Sequence, residues 1–352
     1  MLKNNGLSGV KEIARRANVS IATVDRVLHN RPGVSVRTKE KIDAIIKEMD
    51  YKPNLLARRL ASKKVFKFAV LIPKESKETE YWRAPLEGIN TAWSEIKMYG
   101  VEVSFFLYDL NDRSTFSCEA DKILKENFQG VIVAPSFISE AVVFFDKCKE
   151  KKIKCVFINS DISNVKPLSY IGPDLFQSGK LAGNLCKYLV PENGKVLVLN
   201  VSRVLDSEHH LLKKASGFKA YFEEIGAACA IEVMTVHKTE YESVIGALSS
   251  YLANNKVDLI FVTNSRVFTV AKYFEENKVS GIKLIGYDYL EQNLKYLESG
   301  IIDFLICQKP IEQGYQSLFA LYNYFVNENS VEKVQLMPID IITKENYKFY
   351  KN

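Results

Sequence analysis

The stretch KEIARRANVSIATVDRVLHN, residues 11–30, places two short apolar stripes on either side of one tight connection. The apolar residues at its start recur at i, i+3, i+4 and i+7, which is the spacing of one helical face. They are Val10, which directly precedes the stretch, and Ile13, Ala14 and Ala17 within it. The stripe after the connection consists of Val24, Val27 and Leu28. The stretch therefore predicts two short helices that pack against each other.

The connection and the sequence beyond it supply a turn and a third helix. Asn18 can adopt the left-handed conformation of a sharp turn, and Ser20 is a good N-cap for the second helix. Ser35 is another candidate cap, and a third apolar stripe follows it. This stripe consists of Ile42, Ile45, Ile46 and Met49. Three short helices whose stripes converge on one small core form a helix-turn-helix module.

The second helix turns a small, polar and basic face away from its apolar stripe. This face holds Ile21, Ala22, Asp25, Arg26 and His29, with Ser20 and Thr23 at the start of the helix. Such a helix fits the DNA major groove, where Arg can bond guanine through two hydrogen bonds and a small apolar residue can contact a thymine methyl. The alternative interpretation of Arg26 is a solvated surface cation.

The formal net charge of +6 is distributed unevenly over the 352 residues. Residues 1–64 hold 15 Lys and Arg against 6 Asp and Glu, a net charge of +9, so the remainder carries −3. A basic head on a nearly neutral body favours a polyanion partner for the head. The sequence has no signal peptide and no long apolar run, so a cytoplasmic protein without a membrane partner is expected. No Cys-x-x-Cys or His-Glu-x-x-His spacing occurs, and no metal or cofactor is predicted.

Residues 9–62, GVKEIARRANVSIATVDRVLHNRPGVSVRTKEKIDAIIKEMDYKPNLLARRLAS, resemble the DNA-binding head of LacI/GalR repressors. Two positions depart from the family pattern: Asn18 replaces the usual turn glycine, and Asp25 replaces the usual serine on the groove-facing side. A carboxylate near phosphates is unfavourable unless it accepts from a cytosine amino group or pairs with Arg26. An unusual base preference is therefore expected.

The resemblance implies a hinge helix in the segment NLLARRLAS, residues 54–62. The residue ahead of Pro53 is biased away from the helix, and so short a helix is marginal alone. By resemblance, Ala57 and Arg58 lie along the minor groove and Leu60 wedges between base steps; packing against the body is the alternative for Leu60. Two hinge helices would support each other, which implies a homodimer on a near-palindromic double-stranded DNA operator.

From Phe66 onward, short apolar runs alternate with amphipathic stretches of helical length. The runs include FKFAVLIP, VEVSFFLYDL, GVIVAP, KCVFINS, KVLVLNV, DLIFVTN, IKLIGYDY and DFLICQKP. This alternation favours parallel sheets covered by helices, and about ten strands exceed one comfortable sheet. The predicted fold is an all-α helix-turn-helix head followed by an α/β body of two lobes that face each other across a cleft.

The predicted domains follow from this fold. The head takes residues 1–52, the hinge helix and linker take residues 53–64, and the ligand-binding domain takes residues 65–352. Within that domain, lobe 1 is predicted at about 65–168 and 303–332, and lobe 2 at about 169–302 and 333–352.

In open α/β folds a ligand binds outside the carboxyl ends of the strands. The aromatic, amide, hydroxyl and carboxylate residues at the predicted strand ends are Tyr81, Trp82, Ser136, Asn159, Asp161, Asn264, Asp288 and Gln308. Aromatic rings stack on sugar faces, while amides and carboxylates bind hydroxyls, so this set predicts a sugar or sugar-derivative site. Each residue taken alone also fits a turn or a helix cap.

The body as a whole resembles the ribose-type periplasmic binding-protein fold that LacI/GalR proteins share. The motifs that carry the resemblance are YIGPDLFQSGKLAG, residues 170–183, and IGYDYLEQNLKYLESGIIDFLICQKPIEQG, residues 285–314. The resemblance implies that Asp288 and Gln308 bind the ligand, with Asn159 next.

Two departures concern the ligand. Where many sugar binders have an Arg ahead of a helix ending GF, this chain has HHLLKKASGF, so either His209 or His210 replaces that contact or the contact is absent. We include His210 in the predicted site. TNSRVF keeps Asn264 but lacks the Asp and Ala that usually follow. These departures permit an unusual ligand.

Two other classes of protein compete with a ligand-controlled DNA-binding regulator: a carbohydrate-active enzyme and a plain sugar receptor. No G-x-G-x-x-G opens a helix, GPDLFQSGKL misses the phosphate-loop spacing, and no G-x-S-x-G occurs. No catalytic residue is therefore predicted. The basic head and the missing export signal disfavour the receptor.

The basic head gives a first test. If its cations contact phosphates, affinity for duplex DNA should fall by roughly 10³ between 50 and 200 mM salt, because counterions are released on binding. Fluorescence anisotropy of a labelled duplex across this range measures the slope. A flat salt response would contradict phosphate contact.

Overall fold

The computed structural model describes residues 6–28, 31–49, 51, 64–76, 80–203 and 209–352. The chain divides into two compact units, one that contains residues 1–64 and one that begins at Val65. The predicted hinge helix lies outside the described residues.

The head contains three short helices around one small core. They are α1 (Gly6–Ala17), α2 (Ile21–Leu28) and α3 (Val36–Glu48). The fully buried residues of this core are Ile13, Ala14, Ala17, Val24, Val27 and Ile42, and the remaining members of the three predicted stripes pack around them. The helix-turn-helix prediction is confirmed.

Local chemistry fixes the ends of these helices. Asn18 has a φ of 56°, the left-handed conformation predicted for the turn after α1. Ser20 Oγ accepts from the backbone N–H of Thr23 at 3.1 Å, which caps α2. Ser35 caps α3 in the same way, and Lys41 Nζ donates to the carbonyl oxygen of Ala17 at 2.9 Å, where α1 ends. The turn and both caps are as predicted.

Lobe 1 is a six-stranded parallel sheet with helices on both faces. Its strands are β1 (Phe66–Pro73), β2 (Val101–Tyr108), β3 (Gly130–Val133), β4 (Lys154–Ile158), β5 (Ser169–Gly172) and β11 (Val334–Leu336). They lie in the order β11-β5-β4-β3-β1-β2. Its helices are α4 (Arg83–Ile96), α5 (Arg113–Lys125), α6 (Ile138–Glu150) and α12 (Pro310–Phe325). One face packs under α5 and α6, while Phe68 on the other meets Phe325 of α12.

Lobe 2 repeats this architecture. Its strands are β6 (Lys195–Val201), β7 (Ala230–Val236), β8 (Leu259–Val262), β9 (Lys283–Tyr287), β10 (Phe304–Cys307) and β12 (Asp340–Ile342), in the order β12-β10-β9-β8-β6-β7. β12 runs antiparallel to β10, and the other neighbours are parallel. Its helices are α7 (Leu175–Leu189), α8 (His209–Ile225), α9 (Tyr241–Asn254), α10 (Val267–Asn277) and α11 (Glu291–Glu298). The predicted head and two-lobed α/β body are both confirmed.

The strand pairings correct the predicted lobe boundaries. β5 pairs with β4, so lobe 1 continues to Gly172 rather than ending near residue 168. β10 pairs with β9 in lobe 2, and β11 pairs with β5 in lobe 1, which reverses the predicted assignment of both strands. The physical reason is that the chain leaves a sheet at the carboxyl end of a strand, so the strand before each crossing belongs to the lobe that the chain leaves. Three connections therefore join the lobes.

Parallel strands in each lobe bring their carboxyl ends to one edge of the sheet. The inner β-strands are buried almost throughout, as expected for sheets covered on both faces, whereas the edge strands β2, β7, β11 and β12 are partly exposed. Within the described ranges no helix is both long enough and apolar enough to cross a bilayer.

A close crossing of α7 and α8 sets the position of α8 at the cleft. A Cβ on Gly179 of α7 would lie 2.0 Å from the carbonyl oxygen of Lys214, and a Cβ on Gly217 of α8 would lie 2.0 Å from that of Phe176. The two backbones can approach this closely only because both positions lack a side chain.

Alanine should destabilise the protein at a glycine of the crossing and stabilise it at a glycine elsewhere. Gly179→Ala should lower the free energy of unfolding by about 1–3 kcal/mol or more, because the methyl group meets backbone that cannot give way. Gly246, in α9, is exposed, and a Cβ there meets nothing within 4 Å. Gly246→Ala should therefore raise the free energy of unfolding by about 0.4–1 kcal/mol. Urea unfolding measures both, and a Gly179→Ala protein as stable as wild type would contradict the close crossing.

Candidate functional site

All nine residues predicted to bind a ligand line one cavity between the two lobes. They are Tyr81, Trp82, Ser136, Asn159, Asp161, His210, Asn264, Asp288 and Gln308. The cavity lies at the carboxyl ends of the strands, where the parallel sheets of both lobes end. The structure thus brings the whole predicted set together, and which of its members contact a ligand stays a prediction.

The lobe 1 wall combines aromatic surface with hydrogen-bonding groups. The hydroxyl of Tyr81 donates to Asn159 Oδ1 at 2.7 Å, and the rings of Tyr81 and Trp82 meet edge to face at 5.2 Å. Burial, reinforced by the negative charge of Asp288, raises the pKa of Tyr81 well above its ordinary value, so its hydroxyl stays protonated. Ser136 Oγ receives a hydrogen bond from the hydroxyl of Tyr108 at 2.8 Å.

The lobe 2 wall holds two buried ionisable groups of opposite charge. Asp288, directly after β9, is 8% exposed, and Lys214 of α8 is 5% exposed. Lys214 Nζ donates to the carbonyl oxygen of Thr263 at 3.2 Å and lies 3.6 Å from the centroid of the Tyr287 ring. Within the described part of the chain, no group donates a hydrogen bond to the Asp288 carboxylate, and Lys214 forms no salt bridge with it.

Burial dominates the protonation of this pair. It raises the pKa of Asp288 from 3.8 to about 6 and lowers the pKa of Lys214 from 10.5 to about 8. The attraction between the two groups opposes both shifts without cancelling them. A ligand hydroxyl can donate to the carboxylate and accept from the ammonium, so the pair is suited to a polyhydroxylated molecule.

Gln308 is held in place by a buried network. Its Nε2 donates to Ser178 Oγ at 3.0 Å, and that hydroxyl shares a hydrogen bond of 2.9 Å with the hydroxyl of Tyr287. Gln313 Nε2 donates to the carbonyl oxygen of Gln308 at 2.7 Å. The first contact holds the side-chain amide of Gln308 and the last holds its backbone, which leaves Oε1 and the second N–H of Nε2 as groups that could bind a ligand.

Asn264 and Asp161, like the members already described, have hydrogen-bond partners within the protein. Asn264 Nδ2 donates to the carbonyl oxygen of Val201 at 2.8 Å, and Asn264 Oδ1 accepts from the N–H of Arg266 at 3.2 Å. This geometry supports the turn interpretation of Asn264. Asp161 accepts from Lys213 Nζ at 2.6 Å, an ion pair that joins a lobe 1 loop to α8 of lobe 2. A ligand would have to compete for both residues.

The cation deepest in the cavity is one that the sequence analysis missed. His209 and His210 both line the cavity, and burial, with nearby Lys213, lowers the pKa of His209, which favours the neutral imidazole. Lys214 lies three residues before the glycine of the GF motif, inside the buried stripe of α8. That stripe is Leu211, Lys214, Ala215, Phe218 and Phe222. A lysine at an apolar position of a helical stripe is the signal that would have identified it.

The outward face of α2 is presented as predicted. Ile21 is 48% exposed, Ala22 and Arg26 are exposed, and Asp25 is partly exposed. Thr23 is half-buried, and its hydroxyl shares a hydrogen bond of 2.8 Å with Ser20 Oγ. Contact of these residues with DNA stays a prediction.

Asp25 has a partner that the sequence analysis did not consider. Arg31 Nη1, from the turn after α2, lies 3.2 Å from Asp25 Oδ2. This cation offsets part of the negative charge on the groove-facing side of the helix, in addition to the two possibilities raised by the sequence. The predicted contacts His29, Ala57, Arg58 and Leu60 lie outside the described residues.

Comparison with family models divides the chain at the same place. Residues 9–54 match the family of bacterial regulatory proteins of the lacI type, and residues 68–329 match a periplasmic binding protein domain. The two matches fall on the three-helix head and on the two-lobed body.

Individual relatives and solved structures agree with these matches. Catabolite control protein A of Priestia megaterium is 26% identical over 284 residues, which cover 79% of this chain and 82% of that protein. The protein of the same name from Staphylococcus xylosus is 31% identical over 133 residues, 38% and 39% of the two chains. A crystal structure assigned to a LacI transcriptional regulator from Bacteroides fragilis superposes with a TM-score of 0.75 at 27% identity, over 82% of this chain and all of that one. GanP, a glucose-galactose binding protein from Geobacillus stearothermophilus, shares the fold with a TM-score of 0.72 at 21% identity, over 80% of this chain and 99% of that chain.

The protonation of Asp288 gives a test of the cavity without a ligand. Because the folded state raises the pKa of this carboxyl from 3.8 to about 6, its charged form costs stability as the pH rises through this interval. The stability of Asp288→Asn relative to wild type should therefore increase from about pH 4 to about pH 6.5, by a total on the order of 3 kcal/mol. Urea unfolding of both proteins over this range measures the difference. A difference that does not change with pH would mean that water reaches the carboxylate freely.

Proposed function

We propose that Arg26 and its neighbours read an operator while the cavity between the lobes binds a controlling ligand, because this chain belongs to the lacI family of bacterial regulatory proteins and carries a periplasmic binding protein domain. A chain built from these two parts is a DNA-binding transcription regulator under the control of a ligand. The observation that carries the proposal for the cavity is Asp288, a buried carboxylate that receives no hydrogen bond from any described residue.

The ligand that fits this cavity is a sugar or a sugar derivative. Tyr81 and Trp82 supply aromatic surface, the Asp288 carboxylate accepts from hydroxyls, and the Lys214 ammonium donates to them. Burying a hydroxyl is costly unless it is hydrogen-bonded, so a ligand that satisfies both charged groups is favoured over an apolar one. The relatives with solved structures include a glucose-galactose binding protein, which is consistent with this class of ligand.

The two lobes couple ligand binding to DNA binding. Tyr81 and Asn159 belong to lobe 1, whereas Lys214 and Asp288 belong to lobe 2, so a ligand that contacts both pairs favours one arrangement of the lobes. The ligand shifts the equilibrium only through its unequal affinity for the two arrangements, and coupling of this kind amounts to about 1–3 kcal/mol.

The functional unit is a homodimer on a near-palindromic operator in the cytoplasm. The recognition helix α2 has eight residues and reaches only a few base pairs, so two copies related by a two-fold axis are needed to specify a site. The proposal includes no catalytic step, because the cavity residues serve to hold hydroxyls; turnover of a bound sugar would contradict this part.

Two substitutions separate the two activities. Arg26→Ala should weaken operator binding and relax base preference, by about 1–3 kcal/mol at the contacted position. Asp288→Ala should abolish the response to an inducing or co-repressing sugar and leave operator affinity unchanged. Binding to a randomised duplex library followed by sequencing measures preference, and anisotropy with a panel of sugars measures the response.

Matched controls separate base reading from phosphate contact for Arg26, and ligand binding from folding for Asp288. Arg15→Ala removes the same charge from the head, but Arg15 pairs with Glu12 on α1, so base preference should be unaffected. If Arg26→Ala leaves preference unchanged, Arg26 contacts phosphate alone. If Asp288→Ala abolishes DNA binding as well as the response, its role is in folding and the cavity proposal is wrong.

A further inference from the structure

A second basic surface lies on lobe 1, away from the cavity. Five lysines from separate parts of the chain line one groove there with a volume of about 730 Å³. They are Lys149, Lys152, Lys154, Lys166 and Lys333, and we call this surface the lysine groove. They come from the end of α6, the following turn, the start of β4, the loop before β5 and the residue before β11. The fold thus concentrates cations that are dispersed in the sequence.

The lysines of this groove lack carboxylate partners. Of the residues that the structure describes, none forms a salt bridge with any of the five. Asp146 is the single carboxylate among the described residues that line the groove. Lys147, which is not among these lining residues, does have a carboxylate partner, since its Nζ lies 3.7 Å from Asp121 Oδ1. Five unpaired cations repel one another on a body whose net charge is −3, so an anionic partner would be attracted to this place specifically.

The floor of the groove is apolar. Half-buried Phe145, Val165, Leu168 and Tyr324 form it, and the Lys154 ammonium lies 5.6 Å from the centroid of the Tyr324 ring. A surface that only needs to stay hydrated does not require half-buried aromatic and aliphatic side chains between its charges.

This combination selects a partner of one chemical class. Duplex DNA would meet the lysines with its phosphates but would leave the apolar floor against a charged backbone. A small anion could bind the lysines as point charges, but it would leave the apolar floor uncovered, and the described lining residues include no arginine to hold it through two hydrogen bonds. A polypeptide with carboxylates around an apolar side chain satisfies both the lysines and the floor.

We propose that the lysine groove is the docking site for a partner protein that presents an acidic segment with an apolar or aromatic anchor. The groove lies where β4 and β11 begin, whereas the ligand cavity lies where the strands end. β4 has five residues, so the two sites are separated by roughly 15 Å of sheet. Partner and ligand therefore bind at the same time.

The test uses the full chain and a synthetic probe. The probe is a fluorescein-labelled peptide of about 16 residues in which Glu and Asp alternate with Leu and Phe. Anisotropy should show saturable binding at about 50 mM salt that weakens at about 200 mM. The triple variant Lys149→Glu, Lys166→Glu and Lys333→Glu should weaken binding at least about tenfold.

A matched triple controls for net charge. Lys125→Glu, Lys187→Glu and Lys256→Glu change the charge of the body equally at exposed lysines outside the groove, and affinity should stay within about twofold of wild type. Both triple variants keep the cations of the head, so the difference between their peptide affinities measures the contribution of the lysine groove.

Four results would overturn the proposal. The first is an absence of saturable peptide binding at low salt, and the second is an equal loss in both triples. The third is a groove that does not prefer an acidic peptide with apolar side chains. This would appear as equal binding of a peptide whose Leu and Phe are replaced by Ser, or as stronger groove-dependent binding of a duplex without an operator or of inorganic pyrophosphate. The fourth is a fall in the sedimenting mass of the groove triple alone, which would make a second copy of this chain the occupant.

Discussion

The Asp288 carboxylate and the Lys214 ammonium share one cavity without a salt bridge between them, and the rest of the sensor is arranged around this constraint. Both groups are buried, which raises the pKa of the first and lowers the pKa of the second. Keeping two such charges apart lowers the stability of the empty protein. A hydroxyl-bearing ligand relieves this cost by bonding to both, so the same feature that weakens the fold provides affinity for the ligand.

Backbone geometry holds the two charges in place. Asp288 directly follows β9 with a φ of 75°, and Asn293 Nδ2 donates to its carbonyl oxygen at 3.0 Å. Lys214 depends on the close crossing of α7 and α8, since its own carbonyl oxygen is the atom that approaches Gly179. Both charges lie on the lobe 2 wall, where a strand end positions Asp288 and a helix crossing positions Lys214. Small shifts of either element change the distance that a ligand must span.

Much of the fold follows from local pattern, because residues such as Ile13, Val24 and Ile42 repeat at helical spacing and have only one small core to join. The strand-end rule also supplied eight of the nine predicted residues that line one cavity, while His210 was added from the family resemblance. What sequence could not supply was pairing over long distances. The lobe to which β10 and β11 belong depends on partners far along the chain, and so does the ion pair between Asp161 and Lys213.

Local patterns also left two residues incompletely described. Asn264 was predicted from its place at a strand end, yet its amide is occupied by the loop that it shapes. Lys214 was not predicted, although its neighbours in the stripe are all apolar. In both cases the deciding information is which atoms are already hydrogen-bonded, and that requires coordinates.

The central claim is that binding of a ligand in the cavity and binding of operator DNA are thermodynamically coupled. The most direct measurement is therefore reciprocal: the Kd of operator with and without a saturating sugar that binds the cavity, and the Kd of that sugar with and without operator. Thermodynamic linkage requires the two ratios to be equal, and the account predicts a common factor of about 5 to 150. A sugar that binds with the same Kd whether or not operator is present would contradict it.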